Sequence, residues 1–437
     1  MIAELRLWGR RIGAVSDAGP GGVCIFQYDP EFAQSGIQLS PLVMPLAEAP
    51  YEFPSLPREA FHGLPGLLAD SLPDRFGHSL IDAWLATEGR SAESFGALER
   101  LCYTGSRGMG ALEFVPNIGP RERTAKKIEI DSLVKVAGEV LVNRNDLPGR
   151  FHEAGKSKAL KDILNVGTSA GGARAKAVIA WNAETNEVRS GHVAAGEGFG
   201  YWLLKFDGVK GNRDKETDDP SGYGAIEFAY SQMAQAAGIT MNECRLLEEN
   251  GRRHFMTRRF DRLAGGEKLH MQSLGALAHF DFNRAGAHSY EQALLVIRQL
   301  GLPMLDIEEQ FRRMVFNIVA RNQDDHVKNI AFLMNKRGEW RLSPAFDVTY
   351  SYNVNGAWTA QHQMTMNGKR DGFVGKDFLA CGRTVQITQG RVMAIIEEVQ
   401  GAVGRWMEFA SDAGVSESSA AQIRSAQRVV MATALIA

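Results

Sequence analysis

Asp324 is followed five residues later by Asn329, and a further acid, Asp347, stands beyond the next stretch of chain. One carboxylate to take a proton from a hydroxyl, with an amide oxygen and a second carboxylate as hard ligands, suits phosphoryl transfer from Mg·ATP. Magnesium keeps several of its waters, so one Asn and one Asp are enough protein ligands. Asp-x-x-x-x-Asn, a hairpin and then Asp is the order in which protein kinases place base and metal ligands. Upstream, Lys205 closes the apolar run 201–205, where a cation is otherwise unwelcome, and Glu227 lies 22 residues on. A strand lysine paired with a helix glutamate is the device that holds α- and β-phosphates. The stretch 167–176 holds Ser169, Ala170, Gly171 and Gly172, whose small side chains let backbone N–H groups approach phosphate oxygens; Arg174 and Lys176 add charge.

Each feature also has a plainer explanation. A lysine at a strand end commonly snorkels to water, and an Asp-Asp pair at a helix end is commonly a solvated turn. Two acids there oppose the helix dipole by roughly 0.3–1 kcal/mol each, which predicts a compensating cation, from a metal or from His326.

These groups need elements to hold them. Ile307, Phe311, Met314, Val315, Ile318 and Val319 fall on one helical face, predicting a buried helix from about Asp306 that delivers Asp324 at its exit. Residues 330–334, the turn 335–338 and residues 339–342 predict a hairpin, ended by Pro344 just before Asp347. An earlier hairpin is predicted over 177–189 and strands over 201–206 and 254–260. A helix carrying Ile226, Ala229, Tyr230 and Met233, stopped by Gly238, lies between those two strands. Prolines between positions 20 and 73 argue against helix before Leu64, whereas Phe76, Leu80, Ile81 and Trp84 predict one after Pro73. Residues 111–115 read as a strand, Pro116 marks a domain edge, and 392–403 predict a late helix.

Composition sets outer bounds. The 437 residues argue for two or three domains, and 44% hydrophobic with 23% charged residues excludes collagen-like, mucin-like and wholly disordered chains. A formal charge of −2 gives the surface as a whole no reason to grip nucleic acid or an anionic membrane. The longest apolar run, 429–437, is about half of the roughly 18 residues a membrane span needs. The first eleven residues carry Glu4 and no apolar core, so they do not read as a secretory signal. Cys24, Cys102, Cys244 and Cys381 are scattered without CxxC pairing, which predicts a reduced, cytoplasmic protein rather than a zinc ribbon or a disulfide scaffold.

Three motifs compete for attention. GTSAG at 167–171 matches the nucleophile elbow of serine hydrolases, with His362 in a permissible order, but an elbow demands strand then helix and a strand is predicted next. GEGFG at 196–200 leads into a strand, the wrong order for a dinucleotide loop. His279, Asp281 and His288 match no metal-ligand spacing.

Together the residues resemble the HipA family of Ser/Thr kinases, the toxin half of toxin–antitoxin pairs. The resemblance covers nearly the whole chain. It rests on LPGLLADSLPDRFG at 64–77, GSRGMGAL at 105–112, SAGGARAK at 169–176, LKF at 204–206 and RFDR at 259–262. Its strongest part is DDHVKN at 324–329 followed by LSPAFD at 342–347. It implies Asp324 as catalytic base, Asn329 and Asp347 as magnesium ligands, and Lys205 as the phosphate-binding lysine. Phe260 falls at the adenine-contacting hinge and His326 near the nucleotide. Ser169 matches a serine that autophosphorylates and switches the kinase off; about −2 charge where ATP phosphates sit would repel the nucleotide.

The fold so implied is α+β and protein-kinase-like: a bilobal body with a strand-rich N-lobe and a helical C-lobe, preceded by a HipA-type cap domain. The expected division is 1–116, 117–262 and 263–437. The expected activity is Mg·ATP-dependent phosphorylation of a protein Ser or Thr, with a target in translation such as an aminoacyl-tRNA synthetase. The expected partner is a small HipB-like DNA-binding antitoxin, through which alone DNA is met; no membrane is involved. A catalytically weak co-repressor of the same fold, and a serine hydrolase built on Ser169, are the alternatives.

Overall fold

Alternating burial builds the first sheet. β1 (Ile2–Leu7) turns Ala3, Leu5 and Leu7 inward and pairs antiparallel with β2 (Arg10–Ser16) and β4 (Leu112–Val115); β3 (Ile25–Tyr28) completes the order β3-β2-β1-β4. The structure, a computed structural model, describes residues 1–17, 19, 22–120, 122, 124–142, 154–168, 174–209 and 222–429. Helix before Leu64 is confined to short turns, as the prolines require, and the predicted strand before Pro116 is β4. The helix after Pro73 runs Arg75–Thr87, capped by the Asp74 carboxylate, which accepts from the Gly77 N–H over 2.6 Å.

That helix buries Phe76, Leu80 and Ile81 in a core shared with the helices Ile130–Val142 and Ala154–Gly167 and with a second sheet. The sheet consists of β5 (Lys176–Asn182), β6 (Val188–Ser190), β7 (Phe199–Lys205), β8 (Cys244–Glu249) and β9 (Arg252–Arg258), ordered β6-β5-β7-β9-β8 and antiparallel throughout. β8 and the helices Ile130–Val142 and Ala154–Gly167 are additions to the predicted elements. The strand predicted over 254–260 instead spans Arg252–Arg258. Its exit is set by buried Asp261, which draws the guanidinium groups of Arg259 and Arg262 onto itself at 2.7 Å each and so folds the chain around one carboxylate.

The second half is mostly helical. The helix Met304–Ala320 buries Ile307, Phe311, Met314, Val315 and Ile318 against a large apolar cluster that includes Val392, Ile395 and Val399 of the helix Gln389–Gly404. A small sheet, β10 (His270–Ser273), β11 (Ala331–Met334) and β12 (Trp340–Leu342), contains the predicted hairpin. The chain is thus bilobal, strand-rich then helical, with an N-terminal domain against both parts. Ser273 N–H and Oγ–H both donate to Asp70, Gly110 N–H donates to Asp261, and the Gly66 N–H donates to His279 Nε2. Among the described residues no helix is long and apolar enough to cross a membrane.

Candidate active site

The sheet register sets two cations side by side. Lys176 on β5 is the direct partner of Lys205 on β7, and residues opposite each other in an antiparallel pair share a face. Like charges there are destabilising unless anions separate them. Lys205 Nζ lies 2.5 Å from Glu227 Oε1, on the helix Tyr223–Ala236, and 2.5 Å from Asp347 Oδ1. Lys176 Nζ instead meets Asp74 Oδ2 at 2.8 Å, at the start of the helix Arg75–Thr87. Glu227 is 1% exposed; its other oxygen accepts from Arg174 at 2.9 Å, and Arg174 also lies 4.4 Å over the Tyr223 ring. Burial works against the charge on Lys205, but Asp347 and Glu227 more than offset it and raise its affinity for the proton.

Asp347 adopts a left-handed backbone, φ 52°, a conformation that non-glycine residues rarely hold without a constraint. The constraint comes from both sides. The Ala345 N–H donates to Thr240 O and Arg313 donates to Ser343 O, while Asn322 and Ser351 form a parallel bridge. Burial would raise the Asp347 carboxyl, but Lys205, Lys176 and His326 outweigh that and hold it low.

The helix Met304–Ala320 ends at Arg321, itself left-handed at φ 61°, which frees residues 322–326 from the helix. The two neighbouring acids then part ways. Asp324 has a side chain 45% exposed, whereas that of Asp325 is 1% exposed. Only the former can meet a substrate. Asp325 accepts from Tyr290 Oη–H at 2.6 Å, from the Gln363 N–H at 2.7 Å and from His362 Nδ1 at 2.8 Å. Burial would raise its carboxyl, and those three partners, His362 foremost, pull it below the usual range. Tyr290, Gln363 and His362 thus serve Asp325, while Asp324 takes the Trp358 indole N–H at 2.7 Å and has His326, the residue expected there, close by.

Asn329 Nδ2 donates to the Asp324 carbonyl at 2.8 Å, which leaves the amide oxygen on the opposite edge. Asn329, Asp347 and His326 line one cavity of about 30 Å³, with Phe346 beside them. Phe260 reaches the same place, its ring 5.7 Å from that of Phe346. His326 Nε2 is 3.9 Å from Asp324 Oδ1, and its buried Nδ1 has no hydrogen-bond partner among the described residues. The structure thus brings together Lys205, Glu227, Asp347, Asn329, Asp324, His326 and Phe260. Lys176 is adjacent, its charge felt at Asp347, but its ammonium faces Asp74. Ser169, Ala170, Gly171 and Gly172 lie outside the described residues.

The donor set fits a magnesium ion. Magnesium in phosphoryl transfer is held by one or two carboxylates or amides plus phosphates, and here the side chains of Asn329 and Asp347 line one cavity beside the Lys205 ammonium. Among the described residues no three of His, Cys, Asp and Glu gather as a metal cage. The hydrolase alternative fails on topology: the helix Ala154–Gly167 precedes the GTSAG motif and β5 follows it, the reverse of an elbow, and His362 is fully buried on Asp325. GEGFG leads into β7, as expected, and His279 is spent on Gly66.

The HipA-like C-terminal domain family matches residues 168–407, more than half of the chain, and the HipA N-terminal domain family matches residues 3–115. The chain belongs to the HipA family. A search of curated proteins returns no match. Among solved structures, HipA in the complex of the Shewanella oneidensis MR-1 toxin–antitoxin system with HipB and operator DNA aligns with a TM-score of 0.68 at 16% identity. That alignment covers 97% of this chain and 95% of that one and shows a common fold. The Helicobacter pylori proinflammatory kinase CtkA aligns at 13% identity over 51% of this chain and 92% of its own, with a TM-score of 0.30, too low to argue from. This HipA-family protein has a bilobal α+β fold with the HipA N-terminal domain in front.

Asp74, Asp325, Trp358, Tyr290 and Gln363 were not named as site residues by sequence; Arg174 was named only as charge at the glycine-rich stretch, and His362 only in the hydrolase alternative. Asp325 carried a signal, being one of an adjacent pair, and so did Trp358, a lone indole in a loop of Asn, Gly and Thr. Tyr290 carried none, and Asp74 only its place in the 64–77 block.

Proposed function

We propose that this HipA-family protein is an Mg·ATP-dependent serine/threonine protein kinase and the toxin of a toxin–antitoxin pair. The observation that carries the reading is the Lys205 ammonium held between Glu227 and Asp347, with Asn329 and Asp324 beside it. Lys205, fixed by Glu227, would bind the α/β-phosphates, while Asn329 and Asp347 would hold the metal. Lys176, Phe260 and His326 would border the nucleotide. Ser169, Ala170, Gly171 and Gly172 would cradle its phosphates, with Ser169 as the autophosphorylation site. Magnesium, when bound, supplies charge neutralisation on the transferring phosphoryl group. Asp324, exposed and braced by Trp358, accepts the proton of the acceptor hydroxyl.

The proposed division is 1–116, 117–262 and 263–437. The proposed target is a component of translation such as an aminoacyl-tRNA synthetase. The proposed partner is a HipB-like DNA-binding antitoxin, by analogy with the Shewanella complex. Four free, buried cysteines suit the reducing cytoplasm. Titration calorimetry with Mg·ATP, followed by mass spectrometry for phosphate on the chain and on added protein, tests the reading. Binding with transfer is expected. Binding without transfer points to a co-repressor instead.

A further inference from the structure

Trp358 sits in a stretch that has neither helix nor strand, yet its indole meets the candidate base. Nε1–H donates to Asp324 Oδ1 over 2.7 Å, so one carboxylate oxygen is engaged and Oδ2 is left for an incoming hydroxyl. The loop is pinned on both sides of Asp324. Gln323 Nε2 donates to the Thr359 carbonyl at 3.1 Å, and Gln363 Nε2 donates to the Trp358 carbonyl at 2.5 Å and to Gln323 O at 3.3 Å. The Gln363 N–H and His362 close on buried Asp325 at 2.7 and 2.8 Å. Tyr290 braces Asp325 from the helix Tyr290–Gln299, and Asn317 Nδ2 donates to the Tyr290 hydroxyl at 3.1 Å.

We propose that Trp358 is a positioning residue for phosphotransfer: anchored through Gln363 on Asp325, its indole N–H fixes the rotation of the Asp324 carboxylate so that Oδ2 faces the acceptor hydroxyl. The proposal rests on the kinase reading of this site. An aspartate carboxylate otherwise turns in a broad, roughly two-fold well about χ2. A general base must meet its proton at about 2.6–3.2 Å, and an unfixed base spends time out of reach. Asp325 supplies the anchor without competing for substrate, because its side chain is buried and its oxygens are taken.

Two measurements on the full chain test this. Indole-¹⁵N labelling of the seven tryptophans gives one resonance that disappears in Trp358→Phe and so belongs to Trp358. In Asp324→Ala that resonance is expected to move upfield, and its exchange with solvent to quicken by roughly tenfold, as a hydrogen bond to a charged acceptor is lost. In Trp358→Phe, which keeps the ring and removes the donor, kcat for phosphotransfer is expected to fall by roughly tenfold or more. Its KM for ATP is expected to stay within a factor of about two, since the indole touches the base and not the nucleotide side. An indole resonance indifferent to Asp324→Ala overturns the proposal, and so does a Trp358→Phe variant with wild-type kcat. A wild-type protein that binds Mg·ATP and transfers nothing sinks the kinase reading and this proposal together, whereas transfer undiminished in Trp358→Phe sinks the proposal alone.

Discussion

The Lys205 ammonium lies 2.5 Å from Asp347 Oδ1 although 142 residues separate the two in sequence, and the same ammonium holds Glu227. One charge therefore fastens the sheet, a helix of the same lobe and the chain that follows β12. Replacing Lys205 by Met leaves Glu227 to Arg174 alone and strips left-handed Asp347 of its direct counter-ion. Removing one partner of a buried ion pair costs about 3–5 kcal/mol. Urea denaturation of Lys205→Met should show a loss of that order, and calorimetry should show Mg·ATP binding abolished. A variant as stable as the wild type, binding ATP normally, would move the nucleotide elsewhere.

Asp324→Asn should behave oppositely. Its side chain is 45% exposed, and an amide oxygen can still accept from Trp358, so folding should change by less than about 0.5 kcal/mol. Phosphate transfer should fall by orders of magnitude, since the amide cannot take the hydroxyl proton. Radiolabelled transfer assays read this directly; full activity in Asp324→Asn would assign the base to another residue.

Acid should loosen the junction with the N-terminal domain. Asp261 is fully buried; burial would raise its carboxyl, but Arg259 and Arg262, with the Gly110 N–H, hold it far below the usual range. Asp325 and Asp347 are depressed as well. A carboxyl whose pKa is lower folded than unfolded contributes stability that is full above the unfolded value, about 3.9, and is lost as pH falls toward the folded one. Thermal melts should therefore be flat in this contribution from pH 7 to about 5 and drop steeply below about 4. Asp261→Asn should flatten that lower limb and lower the plateau, because two buried guanidinium groups lose their counter-ion. An unaltered acid limb in Asp261→Asn would refute the assignment.

Helix placement offers a test that leaves the charged groups untouched. Gly224, one turn before Glu227, would carry a Cβ 2.2 Å from the Arg253 carbonyl of β9. Gly224→Ala must push the helix Tyr223–Ala236 off the sheet, at a cost of about 1–3 kcal/mol. It should also weaken Mg·ATP binding several-fold, because Glu227 withdraws from Lys205. Calorimetry on Gly224→Ala showing wild-type affinity would mean that the Glu227 contact does not matter.

What the sequence made legible follows from the range of each signal. The helix Met304–Ala320, the hairpin β11–β12 and the pairing of Lys205 with Glu227 rest on local periodicity and short spacing, and all three stand in the structure. The helix Ile130–Val142 also carries apolar residues at three- and four-residue steps, but its valines read equally well as strand. The first sheet offers short alternations that gain meaning only once β1 and β4, more than a hundred residues apart, are paired. The same limit hid Asp74 beneath Lys176 and Trp358 beside Asp324, contacts made by folding and not by spacing. Helix-dipole reasoning pointed to His326, which does lie 3.9 Å from Asp324, but it cannot foresee the three donors that reach Asp325 from elsewhere.

The helix Arg75–Thr87 belongs by sequence to the first part of the chain, yet Phe76, Leu80 and Ile81 are buried against the inner wall of the small lobe and Asp74 neutralises Lys176 at its floor. Trimming the protein at the boundary near Pro116 to obtain a minimal catalytic fragment would strip that wall and strand a lysine in oil. Whatever displaces the first seventy residues consequently bears on Asp74, and through it on the lysine opposite Lys205.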